Sequence, residues 1–163
     1  MKAQMLVDMD GVLADVYSQF INFEYRDSGI RLNREEMYGK TEEEAFPSFD
    51  RHVRSSGFFR TAPLMADSIE GLKYLNDKYN VLIVSSATEF PGSLIEKQEW
   101  LNEHFPFITW QQMIFCGRKD SIKGDIMIMH DFEYVPKEEW KPIRDELLEI
   151  IHRLQNEIRD SFT

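Results

Sequence analysis

Two carboxylates, Asp8 and Asp10, stand one residue apart where a short apolar run (Met5, Leu6, Val7) gives out. On an extended chain alternate side chains share a face, so both acids project to the same side. Gly11 follows and permits a tight turn. If the run is a buried strand, the acids lie at its carboxyl end, the edge along which open parallel sheets bind ligands. The plainer alternative is a strand end with solvated acids and an Asp cap. A second apolar run, Val81-Leu82-Ile83-Val84, ends in Ser85 and Ser86. Hydroxyls there can donate to a phosphoryl oxygen without adding charge, although Ser-Ser after a strand also commonly makes a turn or a helix cap. Acids on one strand end and hydroxyls on another suit phosphoryl transfer to a carboxylate.

The elements that must position these residues alternate between strand and helix. Val16, Tyr17, Phe20, Ile21, Phe23 and Tyr25 have roughly helical spacing over 16–27, with Asp15 placed to cap the start and Ser28-Gly29 to end it. Residues 31–60 are polar, charge-rich and dotted with aromatics, which predicts several short helices. Over 66–79, Ile69, Leu72, Leu75 and Tyr79 form an apolar stripe, with Asp67 or Ser68 as cap and Asn80 at the far end. The run 81–84 is apolar without interruption, as in a strand buried on both faces. Strand, helix and strand at this spacing make a parallel βαβ unit. A further helix opens at Pro91-Gly92-Ser93 and carries Leu94, Ile95, Gln98, Leu101 and Phe105. Strands are expected over 113–116, where Cys116 reads as an inert buried thiol, and over 124–129. From Pro136, Trp140 to Ile158 make an amphipathic helix that docks on the sheet or, less simply, contacts a second copy in a homodimer.

With 163 residues, 42% hydrophobic and 13% aromatic, the chain fits one domain with a real core. A formal charge of -10 argues against a nucleic-acid polymer or an anionic membrane as partner, but not against a small anionic substrate. One cysteine precludes an internal disulfide, and no Cys/His cluster suggests zinc. No run reaches membrane-spanning length, so the cytoplasm is the expected location.

The octet DMDGVLAD over 8–15 resembles the first motif of the haloacid dehalogenase (HAD) superfamily, and most closely its 5'(3')-deoxyribonucleotidase branch. The resemblance runs, with interruptions, from Met5 to about Ile128. It implies a HAD-like α/β fold: a Rossmannoid parallel sheet flanked by helices over 1–15 and 62–163, with a helical cap inserted over 16–61. In that family the cap closes on the nucleotide and its aromatics contact the base. Phe58, Phe59 and Arg60 match a family GFFR segment, which makes Phe59 and Arg60 candidate substrate contacts. Ser85 falls on the second motif, with Ser86 as a further phosphate contact. Lys119 stands six residues before Asp125, the spacing of the third-motif lysine, and Lys123 is its rival. His104, at a helix end, reads as structural.

The fourth motif departs from the family. Relatives carry two adjacent acids there, one of which helps to hold Mg2+; counting from Lys119, their places fall on Met129 and His130, with Asp131 one step later. Asp131 slides in through a bulge, His130 substitutes as a poor magnesium ligand, or the motif is lost. Asp131 is taken as the third metal carboxylate beside Asp8 and Asp10, the latter through its main-chain carbonyl. The expected function is a magnesium-dependent phosphatase for pyrimidine deoxynucleoside monophosphates, with Asp8 as nucleophile, Asp10 as acid–base, and Ser85 and Lys119 holding the phosphate. The alternatives are a HAD phosphatase for another small phosphomonoester, and a decayed relative that binds nucleotide or phosphate without turnover.

Overall fold

The computed structural model describes residues 2–37 and 39–129. Its centre is a parallel sheet of four strands in the order β3-β2-β1-β4, built from β1 (Gln4–Asp8), β2 (Asn80–Ser85), β3 (Met113–Phe115) and β4 (Ile126–Ile128). Leu6 lies beside Leu82 and Met127, and Asp8 beside Val84, so the strands end level with one another. Met5, Leu6 and Val7 are buried, as are Val81, Ile83 and Val84, because helices cover a parallel sheet on its faces.

Helix α1 (Val16–Ser28) begins where Asp15 accepts the Ser18 N–H at 3.1 Å, and ends at Gly29 in a left-handed conformation. Two short helices follow, α2 (Glu42–Ala45) and α3 (Phe49–Val53), with a 3-10 turn over Arg34–Met37 before them. The chain leaves the sheet and returns to it at one place. Ala14 bridges Leu64, the Asp15 N–H donates to the Pro63 carbonyl at 2.7 Å, and the Met65 N–H donates to Leu13 at 2.8 Å. Between those points an aromatic cluster forms the packing: Phe20 lies 4.5 Å from Phe46 and 4.6 Å from Phe58.

Helix α4 (Ser68–Lys78) joins this part to β2, and α5 (Ser93–His104) joins β2 to β3. Two local expectations change here. Asp67 precedes α4 in a left-handed conformation and makes no side-chain cap. Asn80 belongs to β2, where its N–H donates to Ala3 at 2.9 Å and so continues the sheet instead of closing the helix. Cys116 is half-buried, just beyond the end of β3, with its Sγ 3.7 Å from the Ser85 carbonyl. Gly124 is a glycine for a packing reason. A Cβ at this position would stand 2.5 Å from Cγ of the buried Leu6. The fourth-motif candidates His130 and Asp131 and the helix expected from Pro136 lie outside the described residues. Among the described residues no helix is long and apolar enough to cross a membrane.

Candidate active site

Asp8 is the last residue of β1, and its side chain is almost fully buried at the strand end. One carboxylate oxygen accepts the Met9 N–H at 2.7 Å; the other meets Lys119 Nζ at 2.5 Å. Burial pushes the Asp8 carboxyl above its ordinary value, the Lys119 ammonium works against that, and Asp10 adds to it. The turn that follows needs Gly11 at φ 75, with the Leu13 and Ala14 N–H groups donating to the Met9 carbonyl. That turn presents Asp10 beside Asp8.

Asp10 is held by a residue that the sequence did not single out. Lys97, on α5 and 2% exposed, places its Nζ 2.5 Å from Asp10 Oδ2 and 3.0 Å from Ser85 Oγ. The same ammonium lies 4.4 Å from the Phe59 ring centroid, within cation–π range. The other Asp10 oxygen is buried and has no hydrogen-bond partner among the described residues.

These residues line one cavity of about 640 Å3. Its floor is the strand ends, with Asp8, Asp10, Ser86, Lys119 and Met129; its walls include Tyr17, Phe20, Phe49, Phe58 and Phe59 from 16–61, and Phe90. Among the described residues, six carboxylates (Asp8, Asp10, Glu42, Glu43, Glu89, Asp120) and three cations (Lys97, Arg118, Lys119) line it. The cations pair off as Asp8–Lys119, Asp10–Lys97 and Asp120–Arg118. Glu42, Glu43 and Glu89 are left without an ion pair among the described residues. Burial and the charge of Asp10 push Glu42 to about 7.

Of the residues expected at the site, Asp8, Asp10, Ser86, Lys119 and Phe59 converge on the cavity. Ser85 is fully buried at the floor, beneath Lys97. Lys119, not the exposed Lys123, reaches Asp8. Arg60 turns away to Glu99 and Glu103 on α5, at 3.4 and 2.5 Å. His104 packs on Trp100, ring centroids 4.8 Å apart.

The GFFR segment is gripped by its backbone. Glu96 accepts the N–H of Gly57 at 2.6 Å, of Phe59 at 3.1 Å and of Arg60 at 3.2 Å. Gln19, buried on α1, donates to the Phe58 carbonyl at 2.6 Å. Lys97 had a signal: it lies three and four residues from the buried Trp100 and Leu101, on the core face of its helix. Glu42 and Glu96 had none in their neighbours.

The donors at the strand ends suit a hard cation: the Asp8 carboxylate, the unpartnered Asp10 oxygen and main-chain carbonyls are all oxygen ligands. Among the described residues no group of three or more His, Cys, Asp or Glu side chains is arranged around one point. Met129, at a place where the resemblance implies an acid, lines the cavity.

A family model described as 5' nucleotidase, deoxy (pyrimidine), cytosolic type C protein matches residues 2–145. The chain is 34% identical over 143 residues to the 5'(3')-deoxyribonucleotidase of Bacillus subtilis (strain 168), covering 82% of this chain and 80% of that protein. The same identity and coverage hold for the 5'(3')-deoxyribonucleotidase of Bacillus phage SPbeta. A Staphylococcus aureus (strain Mu50 / ATCC 700699) protein, described only as a candidate 5'(3')-deoxyribonucleotidase, is 34% identical over 131 residues, 78% of this chain and 73% of its own. With its parallel sheet, its acids at the end of β1 and these relatives, the chain belongs to the HAD-like 5'(3')-deoxyribonucleotidase family.

Proposed function

We propose that the protein hydrolyses pyrimidine deoxynucleoside monophosphates in the cytoplasm, through an aspartyl-phosphate on Asp8, with Mg2+ as cofactor and residues 16–61 as a cap over the substrate. The observation that carries this is the buried Asp8 carboxylate, ion-paired to Lys119 at the floor of an aromatic-walled cavity.

An Asp8 oxygen attacks phosphorus and the bond to the ester oxygen breaks. Asp10 gives its proton to the departing oxygen, which leaves as the sugar hydroxyl. Asp10 then takes a proton from water, whose oxygen attacks the aspartyl-phosphate; the phosphorus–Asp8 bond breaks and inorganic phosphate departs. Lys119 and the Ser86 hydroxyl hold phosphoryl oxygens, while Lys97 fixes the Asp10 carboxyl and Ser85 together. The Asp8 carboxylate and the Asp10 carbonyl would hold Mg2+, with Asp131 as the expected third ligand, and the ion would supply positive charge to the phosphoryl oxygens. That need is electrostatic: Glu42, Glu43 and Glu89, without an ion pair among the described residues, line the cavity that a phosphate dianion must enter.

The test is phosphate release from dUMP, dTMP and their ribo and 3'-phosphate counterparts, with and without Mg2+. Release that requires Mg2+ and falls by about three orders of magnitude or more in Asp8→Asn supports the reading; release at near the parent rate in Asp8→Asn overturns the nucleophile. Met129 at the end of β4 favours a second reading, a relative that binds nucleotide without turnover. Nucleotide binding with no release on any of these substrates would select it.

A further inference from the structure

Glu42 is the first residue of α2, where a reciprocal cap between Thr41 and Glu44 fixes the backbone. The next turn is anchored by Ala45 and Phe46, both buried, with Phe46 stacked on Phe20. Glu42 therefore faces the cavity from a rigid mount, half-buried, and its carboxylate has no hydrogen bond or ion pair among the described residues. The charges that act on it are, in order, Asp10, Lys97, Asp8 and Glu89. Of the three lining carboxylates without an ion pair among the described residues, Glu43 and Glu89 are exposed and Glu42 is half-buried. In the reaction proposed above the leaving oxygen is at Asp10, so the sugar bonded to it occupies the cavity that Asp10 and Glu42 both line.

An ionised carboxylate only accepts hydrogen bonds. Phe58, Phe59 and Phe90 line the same cavity with hydrocarbon and ring faces, and Glu42 is its half-buried carboxylate without an ion pair among the described residues. We infer that Glu42 is a specificity-determining residue, whose carboxylate accepts a hydrogen bond from the free hydroxyl of the leaving sugar and excludes a second phosphate from that position. A 5'-monophosphate keeps a 3'-hydroxyl and a 3'-monophosphate keeps a 5'-hydroxyl, so one carboxylate can serve both. A 3',5'-bisphosphate offers neither, and brings a dianion against Glu42 in a cavity whose described cations, Lys97, Arg118 and Lys119, are already paired. This inference rests on the phosphatase reading of the same site for the placement of the sugar.

The experiment measures kcat/KM of the full chain at pH 8 on a pyrimidine deoxynucleoside 5'-monophosphate, its 2',3'-dideoxy analogue and its 3',5'-bisphosphate. The proteins are the parent, Glu42→Gln and Glu42→Leu, each checked by circular dichroism and melting. The parent is expected to prefer the monophosphate over the bisphosphate by about a hundredfold, and both variants to narrow that ratio about tenfold. The dideoxy analogue should lose about tenfold in the parent and about nothing relative to the monophosphate in Glu42→Leu. Ratios in both folded variants within about twofold of the parent overturn the inference. If the parent hydrolyses none of the three, the same ratios are read as Kd by calorimetry. Selectivity that disappears in the variants then upholds Glu42 while the hydrolysis reading fails; monophosphate binding that is absent, or indifferent to Glu42, overturns Glu42 as well.

Discussion

Glu96 and Lys97 are consecutive on α5, yet one grips the amides of Gly57, Phe59 and Arg60 while the other grips Asp10 and Ser85. A single helical turn thus ties the GFFR segment to the strand ends. Arg60, paired with Glu99 and Glu103 of the same helix, and Trp100, whose indole N–H donates to the Ala62 carbonyl at 2.8 Å, extend the contact in both directions.

Lys97→Met is expected to lower kcat by about a hundredfold or more, because Asp10 loses the group that orients it. Lys97→Arg should restore little, since a planar fork does not replace a compact ammonium wedged between Asp10, Ser85 and the Phe59 ring. Steady-state kinetics on both variants checks this. Activity near the parent's in Lys97→Met would mean that Asp10 is oriented by the turn at Gly11 alone.

Glu96→Ala leaves three N–H groups without their acceptor, and a loss of about 2–4 kcal/mol follows. Amide hydrogen exchange at Gly57, Phe59 and Arg60 should accelerate first. Equal protection in variant and parent would show that water or the aromatic packing replaces the carboxylate.

The pH dependence of stability has an identifiable source in Glu42. Its carboxyl titrates at about 7 in the folded protein against an ordinary value of 4.5. Between those values the folded state holds a proton that the unfolded chain has released. The stability is therefore full below about pH 4.5 and falls as the pH rises through 7. Glu42→Gln should gain about 1–2 kcal/mol at pH 8.5 and almost nothing at pH 4.5, read by urea denaturation at both. The opposite slope would place the carboxylate next to an unrecognised cation.

At Gly124, a methyl group would meet Cγ of Leu6 at 2.5 Å and its Cδ1 at 2.9 Å. Gly124→Ala is expected to cost about 1–3 kcal/mol by forcing β1 and β4 apart. Combined with Leu6→Ala, the cost should be less than the sum of the two single changes, as for residues in contact. Melting of the three variants tests it; simple additivity would mean that the loop before β4 yields instead.

What could be read from the sequence was whatever strand ends announce. Asp8, Asp10, Ser86 and Lys119 each follow an apolar run, and parallel strands brought to one edge must bring their ends together. The rotation of α5 was legible only in part, from Trp100 and Leu101, whose face Lys97 shares. Ile95 looked like core and is 69% exposed, whereas Lys97 is buried. Residue type misleads there because the cost of burying an ammonium is met by an acid 87 positions away, which local periodicity does not register. Arg60 is a different case: it belongs to the GFFR segment whose amides Glu96 accepts, while Glu99 and Glu103 pair with its guanidinium. Glu42 was hidden for the same long-range reason as Lys97, since its half-burial depends on contacts that the short α2 makes only in the folded molecule.

The pairing of residues 13–15 with 63–65 has a bearing on how such a protein can change. Because the departing and returning chains are hydrogen-bonded side by side, the ends of the intervening stretch are pinned a few ångströms apart whatever lies between. Lengthening or shortening that stretch alters closure entropy only logarithmically, about 0.6 kcal/mol per doubling. The strand ends and the stretch between residues 15 and 63 can therefore diverge at separate rates, with new walls grafted onto an unaltered hearth.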